Sequence, residues 1–507
     1  MPEDSFLYMI DSMVKTCKWF VLQAVLFFLM PYVWNYEYSA STLVLMLLYT
    51  ALYAVYWNFV PTDRQVRLLA LPYVIYAVIG VVVYCETNGW CSSLWQVILL
   101  PLYGATCFVG VKLFKRIKSR LCKRYRWGGV AIYALLVLFF MVLKGVSVAY
   151  MKPSREGIEE ERTDIIARRD YLQGKLLTSP QHVIDLMPSI VGRQFQGEWA
   201  LYSCSMLSAS LVNISELYPD TRTENLQSIS QLIEIVISPE LRRYDAMRWG
   251  EDPLETLGGN KSHISYLSHL AWMICGYKQA GGDNRYDELL ASLCATMNRR
   301  ILQSEGMNLQ TYPGELVYVP DMLVAIVALK QYADMNGGKY RSTVQQWMRR
   351  AQNEWIDQET RLLVSFLQDD GTQVAGLPVK GSYSALNCYY LTLIDEDFAQ
   401  KQYAQIKALF WKGGLVPGVK EYWDHTCLFG LDIDAGPILL ELSPSGTAFF
   451  AGPATYFGDD EVRQNILTTA EVAGHTIMMG DKRHYLLANV ALVGEAIMLA
   501  MRVHGGC

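Results

Sequence analysis

"TYPGELVYVPDMLVAIVALKQYADMN", residues 311–336, is a Pro-Gly turn that runs into a strongly apolar helix. Pro320 suits the first helical position and Asp321 its first turn, where the helix dipole favours an acid. From Met322 onward, apolar residues recur at three- and four-residue spacing, the signal of an amphipathic helix. Two carboxylates, Glu315 and Asp321, sit in this stretch. A buried carboxylate is costly unless something satisfies or uses it.

The same pattern repeats on both sides. Helical periodicity marks "EWALYSCSMLSASLVNISELY", "NLQSISQLIEIVIS", "SHISYLSHLAWMICGYKQA", "YDELLASLCATMNRRILQS", "YRSTVQQWMRRAQNEWI", "SYSALNCYYLTLI", "DFAQKQYAQIKALFW", "GPATYFG", "EVRQNILTTAEVAGHT" and "HYLLANVALVGEAIMLAMRVH". Turns such as "AGGDNR", "NGGK" and "IDED" separate them. One element departs, because "RLLVSFLQDDGTQVAGL" reads as a hairpin around Asp-Asp-Gly. Sequential helix hairpins without a sharp repeat predict a closed all-α toroid over residues 194–507. In such a toroid the loops entering the inner helices converge on one mouth, where chemistry is expected.

The chain has 507 residues, 52% hydrophobic and 18% charged, with a net charge of -5. Its pI is near 5.9 and its mean hydropathy +0.14. The acidic balance argues against nucleic acid as a partner. The apolar excess falls before residue 152, in five segments beginning at Trp19, Ser41, Leu68, Leu94 and Gly128. Each approaches or exceeds the roughly 17–25 residues a membrane helix needs. Trp19, Trp34, Trp57, Trp90, Trp95 and Trp127 cluster at their ends, as an interfacial belt requires. Residues 1–151 therefore read as a bundle of five transmembrane helices in a lipid bilayer. The basic 112–126 loop, with Lys112, Lys115, Arg116, Lys118, Arg120, Lys123, Arg124 and Arg126, is expected in the cytoplasm. That orientation puts the N-terminus inside and everything after Met151 outside, periplasmic or extracellular. Charged residues 152–193 read as a helical stalk. Six of the eleven cysteines lie beyond the spans, at 204, 275, 294, 388, 427 and 507, and none has a metal-ligand spacing.

Four junctions carry candidate chemistry. In "RYDAMRWGEDPLETLGGNKSHISYLSHL", His263 follows a Gly-Gly turn, with Trp249, Asp252 and Glu255 upstream. The second junction is the opening stretch, with Tyr312, Glu315, Tyr318 and Asp321. The third, "VKGSYSALN", places Tyr383 at a helix start. The fourth holds Asp432 and Asp434 before a Gly-Pro, then small and aromatic residues, Phe449 among them, suited to a pocket floor. Its D-x-D spacing lacks the further ligands of a calcium loop.

"KSHISYLSHLAWMICGYKQAGGDNRYDELL", "EWIDQETRLLVSFLQDDGTQVAGLPVKGSYSALN" and "LLANVALVGEAIMLAMRVH" together resemble the linalool dehydratase/isomerase family over roughly residues 195–507. The resemblance implies an (α/α)6 barrel, an extracytoplasmic site, homo-oligomerisation, and cofactor-free acid/base removal of water from a tertiary allylic alcohol. It places the family's histidine at His263 and its pocket tyrosines at Tyr383 and Tyr202. The family's two loop cysteines fall near Thr311 or Tyr312 and at Asp321, and no cysteine remains in that loop.

The leading expectation is thus a membrane-anchored lyase or isomerase for an alcohol-bearing, terpenoid-like small molecule. His263 with Asp321, or with Glu315, would form its acid/base pair. Tyr383 would join them in catalysis, while Tyr202, Tyr312, Trp249, Asp432 and Phe449 would bind substrate. The alternative is a glycan-acting hydrolase, lyase or uronyl epimerase, with paired carboxylates across a sugar ring and Trp249 and Trp423 as stacking platforms. A third reading is a non-catalytic module of an envelope assembly.

Overall fold

The computed structural model describes residues 155–187 and 193–505, apart from 415, 433, 434, 475, 486, 487, 489 and 490. The five apolar segments, the basic 112–126 loop and Asp434 lie outside the described residues. Among those described, no helix is long and apolar enough to cross a membrane. The chain divides into two units, Met1–Glu160 with Glu471–Arg483 and Glu161–Ala470 with His484–Cys507. The second unit holds the toroid.

Its helices, in chain order, are α1 (Arg155–Leu176, entering the unit at Glu161), α2 (Pro180–Asp185), α3 (Arg193–Leu217), α4 (Arg222–Ile237), α5 (Pro239–Trp249), α6 (Ile264–Gln279) and α7 (Asp287–Gln303). Then come α8 (Val319–Met335), α9 (Arg341–Asn353), α10 (Gly381–Thr392), α11 (Glu396–Leu409), α12 (Pro444–Tyr456), α13 (Asp460–Gly474, in this unit as far as Ala470) and α14 (Leu492–Arg502). Six of them close a ring: α3 packs on α6, α6 on α8, α8 on α10, α10 on α12, α12 on α14, and α14 returns to α3. Outside this ring, α4 lies against α3 and α6, α7 against α6 and α8, α9 against α8, and α11 against α10.

Sequence decides which helix goes inside. Residues 319–333 of α8 are all buried except Lys330, as a helix apolar on every side must be. In α9 only Thr343, Val344, Trp347, Met348 and Ala351 are buried, a single face at helical spacing. Inner helices also approach closely. A Cβ on Gly452 of α12 would stand 2.6 Å from Met501 Sδ and 3.0 Å from the Tyr389 ring.

Several sequence expectations change. The junction beginning "RYDAMRWG" opens within a helix, α5, and the helix expected from His484 begins only at Leu492, His484 and Tyr485 lying in a strand, Lys482–Tyr485. The helix expected at "GPATYFG" begins eight residues earlier, at Pro444, where the Ser443 hydroxyl accepts from the Gly446 N–H and caps it. The expected hairpin "RLLVSFLQDDGTQVAGL" keeps its turn, with Gln368 N–H donating to Thr372 C=O. However, its strand β2 (Phe366–Leu367) pairs antiparallel with β1 (Val317–Tyr318), the segment just before α8. That pairing ties the Pro-Gly loop to the ring. The charged 155–176 stretch is helical, and within it Arg168 is buried against Asp164 at 2.9 Å and Glu495 of α14 at 2.8 Å.

Candidate active site

The N-terminal ends of α3, α8 and α10 meet on one side of the ring. Glu198 and Tyr202 stand four residues apart on α3 and therefore share a face. Arg248, in the last turn of α5, donates to Glu198 Oε2 at 2.9 Å, and the Tyr312 hydroxyl donates to the same carboxylate at 3.1 Å. The guanidinium lies 4.0 Å from the centroid of the Tyr312 ring, a cation–π contact. Asp321 accepts from the Tyr202 hydroxyl at 2.6 Å through one oxygen and from the Thr311 hydroxyl through the other. Neighbouring residues 311 and 312 thus each supply one hydroxyl to one of two buried carboxylates.

The two acids differ in their surroundings. Burial raises the Glu198 carboxyl above its ordinary range, and the charge of Asp321 adds to this, against the pull of Arg248 and the Tyr312 hydroxyl. Burial and the neighbouring Asp321 together push the Tyr202 phenol well above its usual value, so it remains a donor. Burial and the charge of Asp321 push Glu198 toward its neutral form although Arg248 and Tyr312 donate to it, whereas Asp321 accepts from two neutral hydroxyls. General acid–base chemistry uses such an opposed pair.

An aromatic wall continues from here. Ring centroids lie 5.5 Å apart for Tyr312 and Tyr318, 4.9 Å for Tyr318 and Phe366, and 5.0 Å for Phe366 and Tyr383. Beyond it Lys380, the residue preceding α10, pairs with Asp432 at 2.5 Å. Asp432 belongs to a hairpin of β3 (Phe429–Asp432) and β4 (Gly436–Leu439). Beside this pair lies Glu421, fully buried, accepting from the Ser382 hydroxyl at 2.9 Å and the Ser382 N–H at 3.2 Å. Burial raises the Glu421 carboxyl to about 7, with Asp432 adding and the Ser382 donors and Lys380 opposing. Gly381 is required between them, since a Cβ there would sit 1.9 Å from the Lys420 carbonyl oxygen.

The expected site residues divide. Tyr202, Tyr312 and Asp321 come together, Tyr383 joins through the aromatic wall, and Asp432 stands by Lys380 at the start of α10. Glu315 is exposed and is held by its backbone, N–H to the Tyr312 carbonyl and C=O from the Gln310 amide. His263 is buried at the start of α6 in a left-handed conformation (φ 50°), with Nδ1 2.5 Å from Asp245 and Nε2 3.5 Å from Glu251. Its ring nitrogens therefore face carboxylates of α5 and the following loop, and the expected His263–Asp321 and His263–Glu315 pairings are not formed. Trp249 packs on that imidazole, centroids 5.6 Å apart. Asp252 is occupied by Arg242 at 2.7 Å and by the N–H groups of Leu254 and Glu255. Phe449 is buried in the apolar core.

Sequence reading passed over Glu198, Arg248, Glu421 and His269. Glu198 carried a usable signal, an acid one turn before Tyr202 at the start of the helix's long apolar run. Arg248 and Glu421 carried none, because each meets its partner only through the fold. Cys204, Cys275, Cys294 and Cys388 are unpaired and buried. Among the described residues, no group of three His, Cys, Asp or Glu side chains is placed to hold a metal ion.

No known family model matches the chain, and no curated protein matches it. Among solved structures it is similar to a family 105 glycoside hydrolase of Clostridium acetobutylicum ATCC 824. The TM-score is 0.44 at 11% identity, over 59% of this chain and 92% of that one. It is also similar to an unsaturated glucuronyl hydrolase specific for heparin. Here the TM-score is 0.43 at 12% identity, over 67% of this chain and 97% of that one. At these values the functional reading rests on the site's own residues.

Proposed function

We propose that the toroid is an acid/base enzyme acting on a glycan, with Asp321 receiving a proton and Glu198 delivering one. The observation that carries this is the pair itself: two buried carboxylates, each supplied with a tyrosine hydroxyl, at the end of the ring where α3, α8 and α10 begin. A sugar ring would stack on Tyr318, Phe366 and Tyr383, as saccharides do on aromatic faces. The ring's interior supports a hydroxyl-rich substrate over a hydrocarbon one, because buried polar atoms of His269, Asn387 and Tyr390, on the inner helices α6 and α10, lack protein partners. An unpaired buried polar atom disfavours an apolar guest. The membrane reading of residues 1–151 would place this site on the extracytoplasmic side, facing surface polymers.

One observation favours a second reading with the same groups. Tyr202 and Asp321, both singled out by the resemblance to linalool dehydratase/isomerase, meet in one hydrogen bond. Removal of water from an alcohol would use the same opposed pair.

The test is to incubate the full-length chain in ¹⁸O-labelled water with uronate-containing oligosaccharides and, separately, with tertiary allylic alcohols. Products are read by mass spectrometry beside Asp321→Asn. Conversion of an oligosaccharide that Asp321→Asn abolishes supports the glycan reading. Conversion of the allylic alcohols alone overturns it in favour of dehydration.

A further inference from the structure

Inward of the carboxylate pair lies a second group of polar side chains that the acid/base chemistry does not use. His269 of α6 lies beneath Tyr202, ring centroids 4.3 Å apart. Its Nδ1 is 2.8 Å from the Ser205 hydroxyl, whose own proton goes to the Tyr202 carbonyl oxygen at 3.1 Å. Ser205 can therefore only accept from the imidazole, which fixes the proton on Nδ1 and leaves a lone pair on Nε2. Burial lowers the imidazole to about 3, so the ring stays neutral at ordinary pH. Nε2 has no partner in the protein.

Across the ring, α10 presents Asn387 and Tyr390, three residues apart and so on one face, with Tyr383 a turn nearer the mouth. Trp272 bridges the two helices, with centroids 6.1 Å from His269 and 5.7 Å from Tyr390. Asn387 and Tyr390 are at least 98% buried, yet both amide atoms of Asn387 and the hydroxyl of Tyr390 lack a protein partner. Buried polar groups are ordinarily paired, and orphans on facing inner helices call for an explanation. An amide offers one donor and one acceptor side by side, the complement of two adjacent hydroxyls. Nε2 adds an acceptor and Tyr390 a donor or acceptor.

We propose that His269, Asn387 and Tyr390 form a hydroxyl-reading subsite that holds two adjacent hydroxyl groups of a saccharide ring. It rests on the glycan reading above and makes that reading specific: the substrate must carry a free vicinal diol on the ring that enters the toroid. A site built to bond hydroxyls rejects analogues lacking them, because its own polar atoms are then left unpaired.

The experiment titrates the full-length chain with methyl glucoside, methyl galactoside and methyl glucuronide, and with their monodeoxy analogues, by saturation-transfer NMR. Wild type should prefer at least one parent sugar over its deoxy analogue by about tenfold or more. Asn387→Leu and, separately, Tyr390→Phe should each erode that preference. Neither should melt lower than wild type without sugar, since replacing an orphan polar group by an apolar one of similar shape is neutral or stabilising. Discrimination unchanged in both variants, as when only ordered water sits on these atoms, overturns the proposal. So does failure of wild type to bind any probe, or a lower melting temperature in both variants, the mark of a structural hydrogen bond. Sugar binding with the expected discrimination but no conversion of any oligosaccharide supports the subsite and overturns the catalytic reading instead.

Discussion

The Tyr202 hydroxyl donates to Asp321 Oδ1 across 2.6 Å, joining the first helix of the inner ring to the third. The Thr311 hydroxyl takes the other carboxylate oxygen. Asp321→Asn keeps the shape, removes the ionisable group and leaves an amide that both hydroxyls can turn to meet. Turnover should fall about 10²–10⁴-fold, the usual contribution of a general acid or base. The melting temperature should move little. A variant that retains activity but melts several degrees lower would show that Asp321 only secures the start of α8.

Arg248 and Glu198 form a largely buried ion pair, their side chains 3% and 9% exposed. Arg248→Met leaves the carboxylate without its cation, and losing one partner of such a pair costs about 3–5 kcal/mol. Protonation of Glu198 would recover part of that. The loss, followed by thermal denaturation, should therefore be smaller at pH 5 than at pH 8. An equal loss at both pH values would mean that packing of the arginine stem, not charge, stabilises the site.

Glu421 gives a pH signature of its own. Its carboxyl is raised from 4.5 to about 7 in the folded chain, chiefly by burial. Between those values the folded state holds a proton that the unfolded state has released, so this group's contribution falls as pH rises through that window. Glu421→Gln is neutral throughout and can still accept from Ser382. The variant should flatten this part of the stability–pH curve and melt higher than wild type at pH 8. A slope identical to wild type would show that Glu421 is ionised throughout.

Legibility followed the range of the interaction. Helical periodicity marked most helices, though not α2 or α5, and the Pro-Gly loop before Pro320 pointed to Asp321, because caps and turns are local. α12 was hidden behind Gly446, Gly452 and Pro453, residues that read as loop by propensity. Here Gly452 lets the helix approach Tyr389 and Met501 closely, and Gly446 lets it approach Ser382. Tyr202 emerged from the resemblance, whereas Tyr383 stood out by its place at a helix start. Arg248 and Glu421 are separated from their partners by 50 and 39 residues, and only the packing of α5 on α3 and of the 418–421 segment on the start of α10 brings each pair together. His263 misled because a histidine at a helix start after Gly-Gly resembles a site residue equally well when it bonds backwards.

Gly381 tests how the start of α10 is built. An added Cβ would stand 1.9 Å from the Lys420 carbonyl oxygen and 2.9 Å from the Phe410 ring, and one of those atoms is backbone. The Gly381 N–H also donates to the Glu421 carbonyl at 2.9 Å, so any shift disturbs the segment carrying Glu421. Gly381→Ala should destabilise by about 1–3 kcal/mol, the usual range for overpacking a close contact. It should also lower activity, through Tyr383 two residues on. A variant as stable as wild type would mean that the 418–421 segment moves freely away from α10.

His263 separates a structural histidine from a catalytic one. It is buried, its Nδ1 lies 2.5 Å from Asp245, and its backbone is left-handed. Asparagine tolerates that backbone and offers an amide donor, whereas alanine leaves Asp245 without its partner and places a plain Cβ at positive φ. His263→Ala should therefore lose about 1–3 kcal/mol, the cost of stranding a buried polar group, and His263→Asn should recover part of it. Turnover per folded molecule should stay within about twofold of wild type in both, because neither change removes an interaction made at the Glu198–Asp321 pair. If His263→Asn instead melts normally and loses activity a hundredfold or more, the imidazole takes part in the reaction. The reactive centre would then have to be redrawn around α5 and α6.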